Sequence, residues 1–197
     1  MPLATYDTDN EGFSFSSYDE AGNLAVHFGD TAPTVQFDGT DGSPDNGSLK
    51  VLAPYSGANQ YVDIQSKTYA MGDLRNFKGG KLHVRIKVDS GSTFMGQIEP
   101  YVDTTTGYVF VGSSINARQS HDWQDYIVDL DSAMTRNSGY DLTKVILFGV
   151  HIGSGGGGST QKTVTFHIDS FSVEGIAAPP PPDAGTSNDA ASDAATD

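Results

Sequence analysis

The 197-residue sequence contains no cysteine. That absence excludes a disulfide framework, a Cys-ligated zinc site, a thiol nucleophile and an iron–sulfur centre together. Basic residues are scarce: 11 Lys and Arg stand against 25 Asp and Glu, a formal charge of −14. No nucleic-acid partner is expected, because displacing counterions from phosphates needs a basic surface and this field repels phosphate. Long apolar runs are missing as well, and none approaches the roughly 20 residues that span a bilayer. No charged-then-apolar leader opens the chain, so any export signal is expected to lie outside it. Glutamate is rare: apart from Glu11, Glu20, Glu99 and Glu174, every carboxylate side chain is aspartate.

What is present points to β structure. Aspartate, with 23 glycines and abundant Ser and Thr, favours turns, because short polar side chains bond nearby backbone N–H groups. Residues 81–89 alternate strictly, with Leu82, Val84, Ile86 and Val88 on one face and His83, Arg85 and Lys87 on the other. Tyr61-Val-Asp-Ile-Gln65 alternates likewise, as does 95–103 with Ile98 and Val102 inward. Further strands are expected at 108–111, 124–130, 145–152 (Ile146, Phe148, Val150 and Ile152 inward) and 163–173. Shorter ones are expected at 13–15, 24–28, 35–37 and 48–53. About ten short strands with half-polar alternation predict an all-β, antiparallel two-sheet sandwich with one face of each sheet in water. The folded unit is read as residues 1–175. Residues 176–197, with Pro179 to Pro182 and an Ala/Asp/Ser/Thr tail, read as a disordered linker. A spacer there implies one module of a larger protein, or display away from a surface.

Four stretches, in order along the chain, carry a resemblance. Residues 47–63 (Gly47-Ser-Leu-Lys-Val-Leu-Ala-Pro through Tyr61-Val-Asp63) resemble early strands of the β-sandwich carbohydrate-binding modules appended to secreted bacterial polysaccharide-degrading enzymes. Asp122-Trp-Gln-Asp-Tyr-Ile-Val-Asp-Leu130, Phe148-Gly-Val-His-Ile152 and Phe166-His-Ile-Asp-Ser-Phe-Ser-Val173 are similar to three later strands of the same family. The resemblance implies a jelly roll of the galactose-binding-like kind, a concave face that takes a glycan chain, and commonly a structural calcium. By the same resemblance Asp7 and Asp169 match acidic positions on the first and last strands, with carbonyls of Ser48 and Lys50 completing the metal shell. The implied setting is secretion or the cell surface, as a monomer tethered to a catalytic or anchoring domain, with a polysaccharide as partner.

Strand parity supplies a candidate binding face without the family. Gln97, Glu99, Tyr101 and Asp103 oppose Ile98 and Val102, Tyr108 and Phe110 oppose Val109 and Val111, and His151 opposes Val150 and Ile152. If these strands share a sheet with 81–89, Arg85 joins them. Pyranose C–H patches stack on aromatic rings while hydroxyls need in-plane donors and acceptors, so this mixture suits a sugar. Tyr101, Tyr108 and Phe110 are the expected platforms, side by side in an open groove, with Gln97, Glu99, His151 and Arg85 as polar readers. The bland alternative is a solvated β face with cross-strand ring packing. Trp123 is expected to anchor a strand edge, and Tyr55 and Tyr61 could wall the cleft.

The preferred reading is therefore a noncatalytic module that binds a β-glycan of the glucan, mannan or xylan type. A jelly-roll glycosidase or lyase is the alternative, pairing Glu99 with Asp63 or Asp103. Glu99 and Asp103 lie four residues apart on one strand, about 13 Å, beyond the carboxyl spacing of glycosidases. His27, His83, His121, His151 and His167 show no metal-binding spacing, and Gly153–Gly158 lacks the Lys and Ser/Thr of a phosphate loop. A calcium-stabilised adhesion or spacer domain is the third reading.

Overall fold

The computed structural model describes residues 1–19, 32–70, 73–105, 108–116, 121–155 and 163–176. The expected strand at 24–28 and nearly all of the proline-rich tail lie outside the described residues. Among the described residues thirteen strands follow in chain order: β1 (Pro2–Ala4), β2 (Ser14–Asp19), β3 (Thr34–Asp38), β4 (Ser48–Pro54), β5 (Gln60–Gln65), β6 (Lys81–Val88) and β7 (Gln97–Thr104). Then come β8 (Val109–Gly112), β9 (Ile115–Asn116), β10 (Gln124–Asp129), β11 (Thr135–Arg136), β12 (Val145–Gly153) and β13 (Thr163–Glu174). Among the described residues the one helical piece is a 3₁₀ turn, Leu130–Ser132, in which the Asp131 and Ser132 N–H groups donate to the Asp129 carboxylate. No helix among them is long and apolar enough to cross a membrane.

All strand pairs are antiparallel and form two sheets. One has six strands in the order β10-β6-β13-β4-β3, with β1 beside β13; the other has seven in the order β11-β8-β7-β12-β5-β2, with β9 beside β7. The alternation read in 81–89 holds along all of β6, where Leu82, Val84, Ile86 and Val88 are at most 4% exposed. They face Ile98 and Val102 of β7 and Phe148, Val150 and Ile152 of β12 across one core. A ring cluster closes one end of it: Phe171 lies 5.4 Å from both Phe13 and Phe148 and 6.5 Å from Tyr6. Emptying its centre by Phe171→Ala would cost about 3–5 kcal/mol.

Two local features depart from plain alternation. Pro100 lies mid-strand in β7, where pairing with β9 (Gln97, Ile98) ends and pairing with β8 (Tyr101 onward) begins. A residue without an N–H is tolerated in such a gap. The second is a register shift in β12, where Val145 faces Thr104 while Leu147 faces Asp103. One extra residue is accommodated there, so Ile146 is not inward as the alternation predicts. It turns to the outer face and packs with Leu147 and Tyr101.

Candidate functional site

The outer face of the seven-stranded sheet brings together residues from β5, β12 and β7. Asp63, His151 and Glu99 stand directly opposite one another across these three strands. One row along, Gln65, Gly149 and Tyr101 do the same, and on the other side so do Tyr61, Gly153 and Gln97. The glycines decide the shape of this floor. A Cβ on Gly153 would lie 3.0 Å from the Tyr61 ring, and one on Gly149 would lie 3.0 Å from the Tyr101 ring and 2.4 Å from the Ile64 carbonyl. Both tyrosines therefore lie across β12 where a side chain would otherwise stand. The Tyr61 ring sits 4.4 Å from the His151 imidazole, tilted by 39°.

His151 is fixed by a 2.6 Å contact between Nδ1 and Asp63 Oδ1. Asp63 is 6% exposed, so this pair is drawn largely out of water. Glu99 presents a buried Oε1 with no hydrogen-bond partner. Burial pushes the Glu99 carboxyl above its usual range; His151 and a Thr135 hydrogen bond pull it down, and the Asp63 charge adds to the rise. Burial, followed by the Asp63 charge, raises Asp103 to about 6. The face thus concentrates carboxylates around a single imidazole, and one oxygen is left asking for a donor.

The expected row of open rings does not hold. Tyr101 is 3% exposed: its ring stacks on Phe110 at 4.9 Å and 22°, packs on Ile146 and Leu147, and its hydroxyl donates to Gln65 Oε1 at 3.3 Å. The chain after β5 helps cover this patch, since the Tyr69 N–H donates to the Ile146 carbonyl and half-buried Leu74 packs on the cluster. Phe110 is half-buried against Tyr101, and Tyr108 lies in the turn before β8 with φ 53° and is 56% exposed. Arg85 is on the wrong sheet for the face. It lies on β6 of the six-stranded sheet and is engaged with Asp125 and Ser43. Gln97, Glu99 and His151 do share the outer face, with Gln97 exposed at its rim.

No protein-family model and no curated protein matches the sequence. Solved structures match in three dimensions. A family 11 carbohydrate-binding module of a cellulosomal cellulase of Clostridium thermocellum superposes with TM-score 0.57 at 12% identity, covering 89% of this chain and 94% of that one. A family 30 module from the same organism gives 0.53 at 17%, covering 85% and 92%. An exo-β-agarase gives 0.56 at 12%, covering 90% of this chain but 25% of that one, and the chain spans 63% of another β-sandwich carbohydrate-binding module. The fold is that of the carbohydrate-binding-module β-sandwiches.

The calcium that this resemblance implies can be tested on the residues named for it. β1 does run beside β13, pairing Ala4 with Phe171. Yet Lys50 lies mid-strand in β4 between β3 and β13, so its carbonyl is directed into the ladder, and Ser48 pairs with Asp38 at the start of the same strand. Asp169 Oδ1 accepts the Ser43 N–H at 2.5 Å, and exposed Asp7 accepts the Thr5 hydroxyl at 2.8 Å. Among the described residues no group of three His, Asp or Glu side chains is placed to hold a metal ion. Asp7, Asp169, Ser48 and Lys50 therefore do not fit the six to eight oxygens calcium takes.

Trp123 is half-buried ahead of β10 with the Lys87 ammonium 4.9 Å above its ring, and Tyr55 is buried with its hydroxyl donating to the Ile152 carbonyl. Asp63 and Tyr61 are what sequence reasoning undervalued. The alternation of 61–65 puts both on one face, but their neighbour His151 is 88 residues away and only strand pairing reveals it.

Proposed function

We propose that the outer face of the seven-stranded sheet binds a neutral β-glycan chain, of the glucan, mannan or xylan type, without cleaving it. The observation that carries this reading is the Asp63–His151–Glu99 row beside the Tyr61 ring laid over Gly153. Tyr61 offers a face for pyranose C–H groups, while His151, Glu99 and Gln97 meet hydroxyls. Tyr108 stands at the edge of the face, and Tyr101 stacked on Phe110 bounds it one row along on the same face. Each neutral hydrogen bond contributes about 1 kcal/mol net, and a ring contact about 0.5–1.5 kcal/mol. Four to six such contacts along a chain sum to about 4–6 kcal/mol, a dissociation constant between about 1 mM and 40 μM. Carboxylates at 63, 99 and 103 repel uronic acids, which is why the ligand is neutral.

The module works as a monomer outside the cell, joined through its proline-rich tail to a catalytic or anchoring domain. Tethering raises the partner's local concentration at an insoluble polymer. The test is affinity electrophoresis of the folded protein through gels containing β-glucan, mannan, xylan or a uronic-acid polymer. Retardation by a neutral glycan, lost in Tyr61→Ala, supports the reading; no retardation in any gel overturns it. A second reading is kept for one observation: Asp63 and Glu99 sit two strands apart, about 10 Å between backbones, and burial raises the Glu99 carboxyl as a general acid would need. Release of reducing ends, abolished in Glu99→Gln, would establish a glycosidase instead.

A further inference from the structure

On the six-stranded sheet the misfit with calcium has a chemical cause. The segment 38–47, from the last residue of β3 to β4, carries Asp38, Asp41 and Asp45 and lies against outer residues of β6 and β13. Asp169, the other acidic residue here, is the extra residue at a register shift in β13, between Ile168 facing Ile86 and Ser170 facing Arg85. An acidic loop on an acidic bulge is what a divalent cation would be expected to hold together.

Oxygens of Asp38, Asp41, Ser43 and Asp169 already face donors from the chain itself. Lys87 Nζ lies 2.5 Å from Asp41 Oδ1. Arg85 spans the loop and β10: Nε donates to the Ser43 carbonyl at 3.1 Å, Nη2 to Ser43 Oγ at 3.0 Å, and Nη1 to Asp125 at 2.9 Å. The Ser43 N–H in turn takes Asp169 Oδ1, Lys50 Nζ lies 4.0 Å from Asp38, and His167 Nδ1 lies 3.7 Å from Asp41 Oδ2. Lys87 is held in place on its other side by Trp123.

We propose that Lys87 and Arg85 do for this loop what a calcium ion would do, so that loop 38–47 is pinned to the sheet without a metal. An ammonium reaches Asp41 where a cation would need it, and a planar guanidinium grips Ser43 and Asp125 at once. A calcium ion would have to displace these fixed side-chain charges before it could collect its oxygens. The inference stands apart from glycan binding, because it concerns the opposite face of the sandwich.

Thermal unfolding of the full chain tests it in chelator and in millimolar calcium, with Lys87→Gln, Arg85→Gln and Asp169→Asn alongside. A metal filled to a hundredfold excess over its Kd raises Tm by about 5–10 °C in a protein of this size. The expected result is a Tm within about 1 °C in the two buffers, and a fall of about 2–6 °C in chelator for Lys87→Gln. A calcium-induced rise that Asp169→Asn removes would overturn the proposal. So would Lys87→Gln and Arg85→Gln both leaving Tm unchanged.

Discussion

The two outer faces of this sandwich handle charge in opposite ways. On the six-stranded sheet Asp41 and Asp125 face Lys87 and Arg85, and a loop is fastened over the result. On the seven-stranded sheet Asp63 has a single imidazole, Asp103 is driven up to about 6, and Glu99 keeps a buried oxygen with no partner. Leaving a buried polar atom unpaired costs about 1–3 kcal/mol. The six-stranded sheet holds one as well, His83 Nε2 on β6, but the Glu174 carboxylate lies 3.4 Å from it. Under the glycan binding proposed above, the first set of charges holds the fold and the second meets the ligand.

The sharpest way to break this comparison is to remove the centre of the Asp63–His151–Glu99 row. His151→Ala deletes the contact to Asp63 and the neighbour of Tyr61, and isothermal titration with a bound neutral oligosaccharide should show a loss of about 10–100-fold. Arg85→Ala, on the opposite face, should leave that affinity unchanged. An equal loss in both variants would erase the distinction between the faces.

Next in size is the glycine floor. Gly149→Ala pushes a Cβ against the Ile64 carbonyl and the Tyr101 ring, so denaturant unfolding should show a loss of about 1–3 kcal/mol. A neutral result would mean the rings do not lie across β12 as described.

Asp103 sharpens the electrostatic half. Its raised value means the folded protein keeps this proton while the unfolded chain has lost it, so between about pH 4 and 6 stability falls as pH rises. Asp103→Asn should therefore stabilise the protein at pH 7, by about 1 kcal/mol after allowance for solvent screening of a partly exposed group. The gain should vanish below pH 4, where folded and unfolded carboxyls are both protonated. A variant less stable at pH 7 would show that Asp103 is paired after all.

The smallest expected effect is on the paired face. Arg85→Gln should lower stability by about 0.5–1.5 kcal/mol, because Ser43 and Asp125 each lose a charged donor. No change would make these contacts incidental.

How far the sequence carried the reading depended on how local each signal was. The two-residue period of β6 is written into eight consecutive residues, and every inward residue was legible. Period also told which face Arg85 takes, but not which sheet β6 joins, so Arg85 was grouped with the wrong strands. Ile146 was misread because one inserted residue reverses parity, and nothing in Val145-Ile-Leu147 marks the insertion. Tyr101 was placed on the correct face yet assumed open, because the segment that helps cover it, with Tyr69 and Leu74, has no periodicity to announce that it packs there. Glu99 and His151 were readable as neighbours only by supposing that their strands pair. Asp63 completed the row through pairing alone.

Chemical-shift mapping with a soluble neutral β-glycan oligosaccharide addresses the central claim most directly. Titration should move backbone signals of residues 61–65, 97–103 and 149–153 together, with those of 38–47 and 85–87 unmoved. Shifts centred on loop 38–47 and β6, or no shifts with any glucan, mannan or xylan oligosaccharide, would contradict the account.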